Sequence, residues 1–193
     1  CSILANEGLP NIPRGFMAKA TDVVHAAGGL MIADEVQAGF CRSGDWWGYE
    51  TSGFTPDIVT MGKPMGNGMP LSAAASSHEI VETFRRNSRY FNTFASSPLQ
   101  AATGMAVLDE ILDRNLLQQS SIIGQHMRDA LQQLQGNCPN MGEVRGCGLF
   151  TGVDWVTDTN SRTPDRVGAM KIANAMKDRG ILLSNAGAHG NVI

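Results

Sequence analysis

Two side chains of complementary chemistry stand at the ends of two short apolar runs. Asp34 closes the apolar part of GLMIADEVQ, and Lys63 follows the run 57–61 inside a glycine-rich turn, TMGKPMGNGMP. If the two runs are neighbouring buried strands, acid and amine meet across one end of a sheet. A lysine there can form an imine with an aldehyde, and an acid can keep a pyridine nitrogen protonated. Such a pair can hold pyridoxal phosphate. Of the four lysines, Lys19, Lys63, Lys171 and Lys177, Lys63 is the one placed in a turn after a strand rather than on a helix face.

Each of these residues also has a plainer account. Asp34 at a strand's C-terminal end points into the crevice where open α/β sheets take ligands, but it equally suits a helix cap or a loop ion pair. Glu35 is its neighbour, and on extended backbone adjacent side chains point apart. Gln37 offers an amide that can donate to a phenolic oxygen. A lysine in a Gly/Pro turn is commonly just solvated. Here Gly62, Gly66 and Gly68 allow a tight turn and close approach to a ligand, and the spacing is not that of a phosphate-binding GxxxxGK[ST] loop. An imine-forming lysine needs a lowered pKa or a dry pocket, and Met61, Met65 and Met69 are expected to provide the latter.

A second candidate lies further on. Tyr90-Phe91-Asn92-Thr93-Phe94 leads through Ala95-Ser96-Ser97-Pro98 into a helix, and hydroxyls beside a helix N-terminus can receive an anion. Ser97 as an ordinary helix N-cap explains the same residues. Trp46, Trp47 and Tyr49 read as packing rather than as a stacking platform. His25, His78, His126 and His189 are scattered and suggest neither a triad nor a metal set.

The elements that must position these residues follow from periodicity. Phe16, Ala20, Val23 and Val24 share one face of a helix over 13–27, stopped by Gly28-Gly29. Residues 30–33 and 58–61 read as buried parallel strands, separated by a Gly-, Ser- and aromatic-rich loop over 42–53. A helix over 78–86 has Ser76 or Ser77 as its cap. Residues 90–94 read as a short strand. Residues 98–113 and 116–135 carry apolar side chains at three and four spacing, as helices do. Then come a turn-rich connection over 139–148, a strand over 149–156, a helix over 165–179 and a strand over 181–184. Alternation of helices and short strands predicts an α/β fold. The change of texture after residue 135 divides the chain into 1–135 and 136–193. Both ends read as interrupted strands, so an internal segment of a longer chain is expected.

Composition narrows the possibilities. A net charge of −3 with no basic stripe argues against binding nucleic acid through phosphate contacts. Cys1, Cys41, Cys138 and Cys147 form no CxxC and no zinc-ligand spacing. The chain is too large and apolar to need disulfide staples, which fits a cytoplasmic setting. No apolar stretch is long enough to span a bilayer.

Several motifs together resemble one family. IADEVQAGFCRSG, PDIVTMGKPMGNGMPLSA, YFNTFASSP and VRGCGLFTGVD occur in the order found in class-III pyridoxal-phosphate aminotransferases. The resemblance implies a fold-type I α/β architecture: a large domain with a mostly parallel sheet, its C-terminal half at 1–135, and the start of a smaller α+β domain at 136–193. It implies a homodimer or larger assembly, acting on a small-molecule amino donor and a keto acid or aldehyde acceptor. Lys63 matches the lysine that carries the cofactor imine, and Asp34 the acid beneath the pyridine nitrogen. Val36 matches the residue packed on the ring face, Gln37 the amide near the phenolic oxygen, and Thr93 the threonine that reaches the phosphate of the neighbouring subunit's cofactor.

Two positions depart from the family pattern. Ala95-Ser96-Ser97 stands where Gly-Gly-Asn or Gly-Gly-Ser is usual, and Cys41 stands where Gly is common. Arg145–Asp154, Ser161-Arg162-Thr163-Pro164 and Leu182-Leu183-Ser184 resemble the alanine–glyoxylate aminotransferase-2-like branch, which includes phospho-lyases acting on phosphoethanolamine. Amino transfer is the expected activity. Phospho-lyase activity and a non-catalytic homologue or fused module are the alternatives.

Overall fold

A computed structural model of the protein describes residues 2–95 and 97–193. Cys1 and Ser96, the latter part of the run expected to differ at the phosphate loop, lie outside the described residues. The chain forms two compact units, Cys1–Ile3 with Ile12–Gln118, and Leu4–Asn11 with Gln119–Ile193.

The first unit is built on a three-stranded mixed sheet, β1 (Ile32–Asp34), β2 (Ile58–Met61) and β3 (Ala73–Ser76), in the order β1-β2-β3. β1 and β2 are parallel, with Ala33 opposite Val59 and Asp34 opposite Thr60. β3 returns antiparallel to β2. The expectation of a mostly parallel sheet is therefore corrected for this chain. β3 went unread because three alanines carry little β propensity, and its pairing with β2 alone makes it a strand.

Helix α1 (Phe16–Ala26) ends as the double glycine predicts. Gly28 takes φ +75°, and the Gly28 and Gly29 N–H groups return to the carbonyls of His25 and Val24, each at 2.9 Å. That is the Schellman arrangement, which glycine adopts without a Cβ penalty. The predicted loop over 42–53 contains a short helix, α2 (Gly48–Ser52), too brief for periodicity to reveal. Ser77 caps α3 (His78–Asn87) by accepting from Ile80 N. Helix α4 (Pro98–Asp113) starts on a proline, whose missing N–H costs nothing at that position.

Residues 90–94 are not a strand. Asn92 Oδ1 accepts from Phe94 N at 3.0 Å, closing an Asx turn, and Tyr90, Phe91 and Phe94 stand exposed.

The second unit holds an antiparallel hairpin, β4 (Met141–Cys147) and β5 (Phe150–Trp155), packed with α5 (Leu116–Gln135) and α6 (Arg166–Lys177). The expected turn-rich connection over 139–148 is thus largely strand. A bulge between Met141 and Val144 and two glycines hide its alternation. Met141, Val144 and Val153 form the core with Leu131, Cys138 and Trp155. Helix α5 crosses the hairpin turn so closely that a Cβ at Gly124 would overlap the Gly148 carbonyl at 1.6 Å. Arg128 donates to that same carbonyl at 2.7 Å.

Residues 181–184 pair with nothing regular and are not a strand. The last residues extend the hairpin instead, since Val153 and Ile193 exchange hydrogen bonds at 2.8 and 3.0 Å. Arg145 fastens residues 8 and 9 to the sheet, donating to the Gly8 and Leu9 carbonyls and pairing with Asp154 at 2.8 Å. Among the described residues no helix is long and apolar enough to cross a membrane.

Candidate active site

Parallel pairing sends β1 and β2 out of the sheet at the same end. The Glu35 N–H still bonds the Thr60 carbonyl at 2.9 Å, so the register holds one residue past Asp34. Asp34 and Thr60 lie side by side, and Lys63 follows three residues later. The structure therefore brings the predicted acid and lysine to one edge.

Asp34 is half-buried, and its Oδ1 accepts the Val36 N–H at 3.1 Å. This short loop fixes the carboxylate against its own backbone, and a carboxylate has lone pairs left for a further donor. Val36 is half-buried too, and its Cγ1 lies 3.8 Å from where a Gly62 Cβ would be. The segment after β1 and the turn after β2 thus approach each other at Val36 and Gly62. Gln37 is half-buried beside them.

Lys63 opens a 3-10 turn, Lys63–Gly66, with φ +39°. Only a few per cent of non-glycine residues adopt positive φ, and they concentrate at functional sites. The turn is pinned by Met65 N to Gly62 O at 3.0 Å and by Asn67 N to Pro64 O at 3.1 Å. Helix α4 supports it from behind. Gln100 Nε2 donates to Pro70 O at 2.7 Å, and a Cβ at Gly104 would meet Leu71 Cδ2 at 2.9 Å. The expected methionine enclosure is not found: Lys63 is exposed, with Met61, Met65 and Met69 half-buried around the turn. Methionine at every fourth position gives apolar composition without closing a wall.

Thr93 is exposed on the Asx turn before α4. No hydrogen bond joins it to Asp34 or Lys63 among the described residues. Ser97 occupies the N-cap position of α4 by backbone, yet its side chain makes no capping bond.

Glu35 is the residue whose part could not be read. It is fully buried, and its carboxylate receives Gly48 N at 2.7 Å, Tyr49 N at 3.0 Å and the Ser2 hydroxyl. Alternation along the strand predicts that Asp34 and Glu35 diverge. Which of them turns inward depends on α2, and α2 left no sequence signal.

Cys41 has φ +69° and is 1 % exposed. Its left-handed backbone gives a physical reason for glycine being common there. Burial, with the Glu50 charge adding, pushes its thiol up to about 11, so it stays protonated and unreactive at neutral pH. Among the described residues no group of three or more His, Cys, Asp or Glu could hold a metal ion.

A family model described as aminotransferase class-III matches residues 2–193. The chain belongs to the class-III aminotransferase family, whose members use pyridoxal phosphate. It is 40% identical over 185 residues to an alanine–glyoxylate aminotransferase 2 homolog of Arabidopsis thaliana, covering 96% of this chain and 39% of that one. It is 42% identical over 185 residues to an ethanolamine-phosphate phospho-lyase homolog of Caenorhabditis elegans, covering 94% and 40%. Among solved structures, a phospholyase from Arthrobacter in complex with phosphoethanolamine superposes with a TM-score of 0.95 at 40% identity, over 99% of this chain and 46% of that one. The chain thus spans about two fifths of the length of these curated relatives, and it has the fold of one part of a fold-type I aminotransferase.

Proposed function

We propose that the chain carries the lysine–acid pair of a pyridoxal-phosphate enzyme that moves an amino group between a small amine or amino acid and a keto acid or aldehyde. The observation that carries this reading is the exit of Asp34 and Lys63 from neighbouring parallel strands at one edge. The donor set fits the cofactor: a free amine, a fixed carboxylate and a valine methyl facing a glycine. When bound, the cofactor supplies an aldehyde for covalent linkage and a ring that withdraws electrons from the substrate carbon.

The chain's own residues then have distinct tasks. Asp34 holds a proton at the ring nitrogen, where its charge is needed. Lys63 Nζ would make the covalent link and, when free, would carry a proton as a general base and acid. Val36 would lie against the ring face, and Gln37 would donate its amide to the phenolic oxygen. Thr93, exposed and with no hydrogen bond to the pair among the described residues, supports a role toward the phosphate of a second copy, in a homodimer. Sodium borohydride treatment after cofactor addition tests the core of this: it should leave a pyridoxyl group on the peptide bearing Lys63, and an unlabelled peptide would reject the assignment.

A second reading is phospho-lyase activity on phosphoethanolamine-like substrates, favoured by the 40% identity to the Arthrobacter phospholyase. Both reactions need the same proton removal and diverge afterwards. Release of phosphate and ammonia from phosphoethanolamine without an amino acceptor would select the lyase. Acceptor-dependent turnover without phosphate release would select the transferase.

A further inference from the structure

Glu35 is a fully buried acid, 0 % exposed, with no task in the chemistry above. Its two oxygens are both engaged. Oε2 takes the Gly48 N–H at 2.7 Å, while Oε1 takes the Tyr49 N–H at 3.0 Å and the Ser2 hydroxyl. Two N–H groups are directed one at each oxygen, so both oxygens serve as acceptors. The backbone of Glu35 is tied as firmly: its N–H bonds Thr60 O, and its carbonyl accepts Gly39 N, both at 2.9 Å. A residue held at both ends cannot rotate. Because side chains alternate along extended chain, the inward anchoring of Glu35 obliges Asp34 to face the other way. Its carbonyl bond to Gly39 closes the turn that carries Val36 and Gln37.

We propose that Glu35 is the positioning residue of the site: by fastening the start of α2 and residue 2 to the end of β1, it sets the direction of Asp34 and the seat of Val36 against Gly62. The inference rests on the cofactor roles proposed for Asp34 and Lys63. It assigns Glu35 no contact with cofactor or substrate. Its effect reaches the site through the backbone of 34–36.

The test uses Glu35→Gln in the intact protein. Glutamine keeps the shape but turns an NH2 toward the N–H groups of α2, so one end of the anchor is lost. Cofactor should dissociate about tenfold faster, and turnover should fall about 100-fold, as for a displacement of the order of 1 Å, with KM changing less than kcat. Hydrogen exchange of cofactor-free protein should accelerate at Val36 as well as at Gly48 and Tyr49. Ser2→Ala removes one donor and should shift the same readouts in the same direction by a smaller factor, which covers the case in which Glu35→Gln fails to fold. Glu50→Ala is the control for mere loosening. It removes the bond from Trp47 N to Glu50 Oε2 at 3.0 Å, a cap of the same helix, and should leave cofactor retention unchanged.

Wild-type retention and kcat in Glu35→Gln, or in Ser2→Ala where the first is insoluble, would overturn the inference while leaving the lysine–acid pair standing. Equal losses in Glu50→Ala would also overturn it. A wild-type protein that forms no borohydride-trappable link at Lys63 would overturn both readings together.

Discussion

Lys63 and Arg145 are two cations set beside glycines, and they are used in opposite ways. Arg145, in the second unit, is 10% exposed at its side chain and bonds two backbone carbonyls and two carboxylates. Hydrogen bonding to Asp154 holds its guanidinium above its ordinary pKa against the cost of burial. Lys63, in the first unit, is exposed, and among the described residues no ion pair reaches it. On the role proposed for Lys63, the difference separates structural charge from chemical charge. A cation whose donors are all taken can only hold the fold, whereas a reacting amine must keep its electron pair within reach of a ligand.

The largest effect that probes this contrast is on turnover. Lys63→Ala should abolish measurable catalysis, a loss of at least roughly 10³-fold, while shifting stability by no more than about 0.5 kcal/mol, as for an exposed substitution. A thermal melt displaced by many degrees would break the comparison from this side.

Arg145→Met should do the reverse. Removing one partner of a buried pair leaves Asp154 uncompensated and two carbonyls without donors, a cost of about 3 kcal/mol. The urea midpoint should fall without a change in m. A loss under about 1 kcal/mol would show that Arg145 is not committed as its contacts indicate.

Asp34→Asn comes next. The amide keeps the Val36 hydrogen bond but lacks the charge that holds a ring proton. Loss of an adjacent opposite charge is worth about two pKa units at that nitrogen, so kcat should fall on the order of 100-fold, with the link at Lys63 still trapped by borohydride. An unimpaired proton-removal step would remove Asp34 from the chemistry.

The smallest effect concerns how β2 is entered. Asp57 accepts Met31 N at 2.6 Å and contacts His25 Nε2 at 2.8 Å, and these two partners hold its carboxyl below the usual range. A folded pKa below the unfolded value contributes stability that is present above about pH 4 and is lost as pH falls through the folded pKa. Asp57→Asn should therefore flatten the acid limb of a stability–pH curve and leave neutral pH activity as it was.

Legibility in the sequence followed the strength of local signals. Helices α4 and α5 lie at the residues their periodicity gives, and the double glycine after α1 ends it as expected. Strands β1 and β2 were readable as short apolar runs, and with them the placing of Asp34 and Lys63 at one edge of the sheet. What escaped depended on partners distant in sequence. β3 is alanine-rich and needs β2 to define it, and β4 is masked by its bulge. Residues 90–94 have the aromatic composition of a strand, but Asn92 turns the chain before any pairing forms. The inward turn of Glu35 was invisible for the same reason, since it answers to Ser2 and to the backbone of α2.

The positive φ of Lys63 has a kinetic consequence. Proline follows it, with its ring closing off most of the backbone freedom of the turn, and Gly62 and Met65 are hydrogen-bonded across it. The amine is thus the mobile end of a four-carbon leash whose other end is nailed down. If, as proposed, a substrate amine displaces it, Nζ would not diffuse away; it would remain a resident reagent at high effective molarity. The same rigid anchor that would place the nitrogen for its first encounter would make its return intramolecular, so regeneration of the resting protein would be a swing of methylenes rather than a new collision.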